Sequence, residues 1–150
     1  MVTADLPLMT PDRMTLEKIV QAPSKSQKAS AQNMLNVLDS GGKLAATYSA
    51  PVGAWQFGND LTIVSLPEEV VAGYVPLIEE AIGPLRLWVA SYSHDVCGYI
   101  PTRKNLDEGG YETKGLETEI GLFAPGVEEV LVRAARDASV KAGRKIERGR

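Results

Sequence analysis

Apolar positions along the chain repeat with two different periods, and the change of period marks the elements. Thr10-Pro11 reads as an N-cap followed by proline at the first helical position, and Leu16, Ile19 and Val20 supply a short apolar face that ends before Pro23. Ser24 opens a second helix, in which Ala31, Met34, Leu35 and Leu38 recur at helical spacing until Gly41-Gly42 stops it. From Lys43 the period shortens. Residues 44–52 are rich in strand formers, and 54–57 and 61–66 flank the hairpin-type turn Gly58-Asn59-Asp60.

A helical stripe of Val70, Val71, Tyr74, Val75, Ile78, Ala81 and Ile82 follows, then a strand over residues 85–92. This βαβ order makes its two strands parallel and predicts an α/β fold, with α+β as the variant: a mixed sheet flanked by helices. Gly73 and Pro76 inside the stripe predict a kink near Ala72, since an interior proline loses a backbone hydrogen bond. Residues 93–123 are glycine-rich and polar, with one helical turn at Arg103–Glu108, and a stretch this long is more often functional or poorly ordered than a plain connection. Pro125 leads a closing helix with a stripe of Val127, Val130, Leu131, Ala134 and Ala138.

Length and composition narrow the function classes. With 150 residues, 44% apolar and 23% charged, the chain suits one globular domain. No apolar run reaches the length of a membrane span, and the start MVTADLPLMT lacks the basic and apolar regions of a signal peptide, so the expected location, as written, is cytoplasmic. The last ten residues hold five Lys/Arg against one Glu, leaving 11 Lys/Arg against 18 Asp/Glu in residues 1–140. That acidic body argues against nucleic acid as a partner, and residues 141–150 read as a solvated, disordered basic tail. One cysteine, Cys97, excludes internal disulfides and reads as an inert buried thiol.

In open α/β sheets ligands gather beyond the carboxyl ends of the parallel strands. Glu68 and Glu69 end one such strand; Ser91, Ser93, His94, Asp95 and Tyr99 follow the other. Glu69, His94, Asp95 and Tyr99 are all capable metal ligands, which makes a small metal-dependent hydrolase one reading. Plainer roles exist for each. Glu68 and Glu69 would stabilise a helix N-terminus, His94-Asp95 would form a turn, and Tyr99 and Tyr111 would pack half-buried. Gly109-Gly110 follows no strand and reads as a turn rather than a phosphate loop.

The strings LTIVSLPEEVVAGY and LWVASYSHDVCGYIPTRKNLDEGGYE carry a resemblance, together with AQNMLNVLDSGGKLAATYSAPVGAWQFGNDLTIVSLP upstream and LFAPGVEEVLVRAA downstream. From about Met9 to Ala138 the chain resembles the distal part of the catalytic domain of the neutral/alkaline, non-lysosomal ceramidase family, short bacterial type. The resemblance implies a zinc-dependent hydrolase of the amide of N-acylsphingosine that uses a serine nucleophile. It places the family's glutamate ligand on Glu69 of Pro67-Glu68-Glu69 and its tyrosine ligand on Tyr99 of Tyr99-Ile100-Pro101-Thr102. Glu68 stands where the family has glycine, and His94 where it has asparagine. No residue matches either of the family's two histidine ligands or its serine.

Residues 1–140 therefore read as the C-terminal half of a ceramidase-like domain, inactive alone, with zinc as the implied cofactor and a partial site of Glu69 and Tyr99. The implied partners are a complementary N-terminal half or a second copy of the chain, with a lipid amide as the family's substrate. Beside this stands a non-catalytic subunit that pairs with another chain through exposed sheet edges or an apolar patch.

Overall fold

The computed structural model describes residues 1–83, 86–96, 98–113 and 122–146. Its strands are β1 (Val2–Met9), β2 (Thr47–Phe57), β3 (Leu61–Ser65), β4 (Glu69–Val70), β5 (Leu87–Ala90), β6 (Tyr99–Ile100) and β7 (Leu122–Phe123). The helices are α1 (Arg13–Ile19), α2 (Lys25–Asp39), α3 (Tyr74–Ile82), α4 (Arg103–Glu108) and α5 (Val127–Lys141), with a 3-10 turn at Tyr111–Thr113. Five strands form a mixed sheet in the order β5-β3-β2-β1-β7, and β4 pairs with β6 in a separate parallel ribbon.

The fold is α/β, with the expected mixed sheet and βαβ unit. β3 and β5 run parallel with Thr62 opposite Leu87 and Ser65 opposite Ala90, and α3 lies between them in the chain. The 58–60 turn joins β2 to β3 antiparallel, with Phe57 opposite Leu61. Alternation then sorts the side chains. Ala4, Leu6 and Leu8 of β1, Ala50 and Val52 of β2 and Val64 of β3 face one core with Tyr74, Ile78 and Ile82 of α3 and Val127, Leu131, Ala135 and Ala138 of α5. α1 and α2 pack on each other through Leu16, Ala31, Met34 and Leu35 in a satellite cluster.

Several local expectations change. α1 is capped by Asp12, which accepts from the Thr15 N–H, rather than by Thr10. β2 runs unbroken from Thr47 to Phe57, joining what reads as two segments. No helix crosses Ala72: α3 starts at Tyr74 behind Gly73, so Pro76 falls in the first turn, where a missing N–H costs no helical bond. The basic tail is not wholly solvated. Lys141 ends α5, and Arg144 is 5% exposed, its guanidinium donating to the carbonyls of Ile82 and Gly83 and to Thr62 Oγ1. That positive group caps the negative end of α3. Cys97, the start of the strand expected over 85–92, residues 114–121 and residues 147–150 lie outside the described residues.

Candidate functional site

The carboxyl ends of β3 and β5 are laced together, and the lacing sorts two adjacent carboxylates into different jobs. Leu66 N–H donates to the Ala90 carbonyl at 2.8 Å and Ser93 N–H to the Leu66 carbonyl at 3.0 Å. Ser91 Oγ donates to the Glu68 carbonyl at 2.9 Å and accepts from the Val70 N–H at 2.7 Å. Glu68 is fully buried, and its carboxyl group accepts the Gly98 N–H at 2.9 Å, a bond that holds the returning loop. Glu69, the first residue of β4, is only half-buried and lies outside that buried contact.

Glu69 sits opposite Tyr99 in the β4–β6 ribbon, with Glu69 N–H donating to the Gly98 carbonyl at 3.0 Å. Its carboxylate faces the hydroxyls of Tyr99 and Tyr92 closely enough for hydrogen bonding to raise the pKa of both. The bond to Glu69 pushes the Tyr99 phenol up to about 12, with desolvation and the negative charge of Glu69 adding to it, and it raises Tyr92 for the same reasons. Both hydroxyls therefore stay protonated donors at neutral pH. Tyr111 packs edge-on against Tyr99, with ring centroids 5.7 Å apart and planes at 82°. Tyr92 and Tyr111 are 57% and 65% exposed, so the cluster is open to an incoming molecule.

Backbone strain marks the same place. The non-glycine residues with positive φ among the described residues are Glu68 (60°), Tyr92 (58°) and His94 (80°), and all three bracket this cluster. Left-handed backbone costs a side-chain-bearing residue roughly 1–2 kcal/mol and gathers at functional sites when surrounding bonds enforce it.

Of the residues expected at the site, Glu69 and Tyr99 are brought together. Glu68 is beside them in sequence but turned into the frame. With α3 starting at Tyr74, neither glutamate lies in a helical first turn, and the helix-dipole role does not apply. Asp95 is engaged elsewhere, its carboxylate accepting from Tyr48 Oη at 3.1 Å and from the Val96 N–H at 3.0 Å. His94 is exposed. Among the described residues no three His, Cys, Asp or Glu side chains converge to hold a metal ion, so Glu69, His94 and Asp95 do not form a three-ligand cluster. Tyr99 is half-buried as expected, while Tyr111 is exposed. Tyr92 was not anticipated at the site. Its signal was its place just past the carboxyl end of a parallel strand.

The donor set therefore offers two oxygen-bearing groups, one carboxylate and one phenol, set opposite each other in register. Catalytic zinc takes three protein ligands and leaves a position open, so these two groups alone fall short of such a site. Comparison with protein-family models, with curated proteins and with solved structures finds no match to this chain.

Proposed function

We propose that this chain supplies the Glu69–Tyr99 oxygen pair of a zinc-dependent, ceramidase-like amide hydrolase, and that it does not turn over substrate without imidazole ligands and a serine nucleophile from another polypeptide segment. The observation that supports this reading is the register of Glu69 opposite Tyr99, with the Glu69 carboxylate near enough to the phenol to raise it. A second supports it: the backbone at Glu68 is left-handed, a conformation that suits the glycine the family carries there.

Zinc bound here would polarise the scissile carbonyl as a Lewis acid. The chain's own residues set the terms of binding. Tyr99 must give up a proton held to about 12, so metal affinity rises with pH. Glu68, Ser91 and Gly98 hold the two strands at the spacing that keeps the oxygens paired.

Hydrolysis of a fluorescent N-acylsphingosine tests the reading. The chain with zinc should match the buffer blank, and turnover should appear on co-expression with a segment bearing two histidines and a serine, then vanish in Glu69→Gln. Turnover by the lone chain that is lost in Glu69→Ala would instead reveal a complete site. A tight zinc site in calorimetry, abolished by both Glu69→Gln and His94→Ala, would favour the small metal-dependent hydrolase.

A non-catalytic subunit is the second reading, favoured by the exposure of Trp55, Phe57 and Trp88 on the sheet.

A further inference from the structure

Alternation along the strands that sends Val52, Val64 and Val89 toward the helices sends Gly53, Trp55 and Phe57 of β2, Leu61, Ile63 and Ser65 of β3, and Trp88 and Ala90 of β5 to the opposite face. None of these eight outward side chains is ionisable. Trp55, Phe57 and Trp88 are 52%, 54% and 65% exposed. A sheet with helices on one face and bare indoles on the other is a layered architecture short of one layer.

We propose that this face is a homodimer interface, in which two copies stack their sheets face to face about a two-fold axis running along β3. The register selects a second copy over an unrelated partner. Trp55 lies opposite Ile63, and Ile63 opposite Trp88, so the row reads large, medium, large across β2, β3 and β5. A two-fold axis along β3 lays Ile63 on Ile63 and exchanges β2 with β5. Trp55 of each copy then meets Trp88 of the other on either side, the reciprocal contact an isologous interface requires.

Charge and area agree with that choice. The same rotation carries the β2–β3 turn of one copy over the start of β5 in the other, setting exposed Asp60 against exposed Arg86 twice per dimer. Opposite charges meet at the rim, and the uncharged centre brings no like charges together. At 150–250 Å² per ring, the three aromatics leave roughly 350 Å² bare in one copy and roughly 700 Å² in two. Leu61, Ile63 and the surrounding strand surface bring the total toward the roughly 1,200 Å² of a small stable interface. The interface is separate from the Glu69–Tyr99 pair, and it stands or falls without the zinc reading.

Sedimentation equilibrium of the full chain, read with intrinsic fluorescence, tests it, because the chain's two tryptophans are both on this face. A dimer is expected, with emission shifting to the blue as concentration rises. Trp88→Glu should weaken it roughly 30-fold or more, the loss typical of a central tryptophan. Asp60→Arg and Arg86→Asp, both on the surface and harmless to folding, should each weaken it roughly fivefold, and the double reversal should restore it. A monomer at every concentration, or a dimer indifferent to Trp88→Glu, overturns the proposal. So does a blue shift that requires phosphatidylcholine–phosphatidylglycerol vesicles and no self-association, which would make the face a lipid-binding surface.

Discussion

The N–H of Tyr92 donates to the carbonyl of Glu68 at 2.8 Å, so two residues in left-handed backbone hold each other in place. Neither conformation is favourable alone for an L-residue with a side chain. Together with Glu68 N–H on the Asp95 carbonyl at 2.8 Å, the bond fixes where the strand end turns and directs Glu69 toward the tyrosine hydroxyls. The strain is local, and the bonds that enforce it come from the loop that carries the site.

Ser91 is the side chain in that lacing whose loss is easiest to read. Ser91→Ala leaves the N–H of Val70, a residue 9% exposed, without its hydroxyl acceptor and removes the donor to the Glu68 carbonyl. The expected cost is about 1–3 kcal/mol, the usual penalty for orphaning a buried donor. Urea unfolding measures it, and amide hydrogen exchange should localise the loss of protection to Val70 and Tyr92.

The hydroxyl of Tyr99 should titrate late. Its bond to Glu69 favours the protonated form, so the phenol is expected to ionise near 12. Raised above its ordinary value, the group contributes stability that is fully present below about pH 10, the unfolded value, and is lost as pH rises through the folded one. Absorbance of phenolate followed with pH gives the value directly. In Glu69→Gln the carboxylate charge is gone, and the Tyr99 transition should move down toward 10. A transition unmoved by that substitution would show that Glu69 is not the acceptor.

Local pattern carried the helices and the β2–β3 hairpin and failed on β1 and the two-residue strands. The stripe of Val127, Leu131, Ala134 and Ala138 and the cap at Ser24 were legible, because each is a signal within one or two turns of helix. β1 was not read as a strand although Val2, Ala4, Leu6 and Leu8 alternate. Pro7 breaks the look of a strand while being tolerated where β1 ends against β2. The β4–β6 ribbon has two residues a side and no period to detect; it exists because Glu69 and Val70 meet Tyr99 and Ile100 from thirty residues away. Strand-end position points to Glu69 and Tyr99, which the β4–β6 register sets opposite each other. Tyr92 was passed over as the last residue of a strand, and Arg144 because a buried guanidinium in a basic tail leaves no local trace.

Arg144 makes a stability prediction. Its guanidinium spans 2.7 Å to Thr62 Oγ1, 3.0 Å to the Gly83 carbonyl and 3.3 Å to the Ile82 carbonyl, joining β3 to the end of α3. Arg144→Ala should cost about 2–4 kcal/mol in urea unfolding, since bonds to a charged donor are worth about 1.5–3 kcal/mol and buried carbonyls lose their partner. Arg144→Lys should recover only part of this, because an ammonium lacks the planar fork that reaches three acceptors at once.

Gly53 permits the approach of Ser65 and Trp55 on the outer face of the sheet. A Cβ built there would lie 2.5 Å from Ser65 Oγ and 3.4 Å from the Trp55 ring. Ser65 is 4% exposed, and its hydroxyl has no hydrogen-bond partner among the described residues, so it has little room to yield. Gly53→Ala should therefore cost about 1–3 kcal/mol, the range for overpacking a filled site. Ser65→Ala alone should be neutral or mildly stabilising, because it removes a buried polar atom that makes no bond. Combined, the two should be less destabilising than Gly53→Ala by itself, since the shorter side chain removes the 2.5 Å contact. A double-mutant cycle in urea decides it. Strict additivity would mean that the indole of Trp55, rather than the serine hydroxyl, resists the added methyl group.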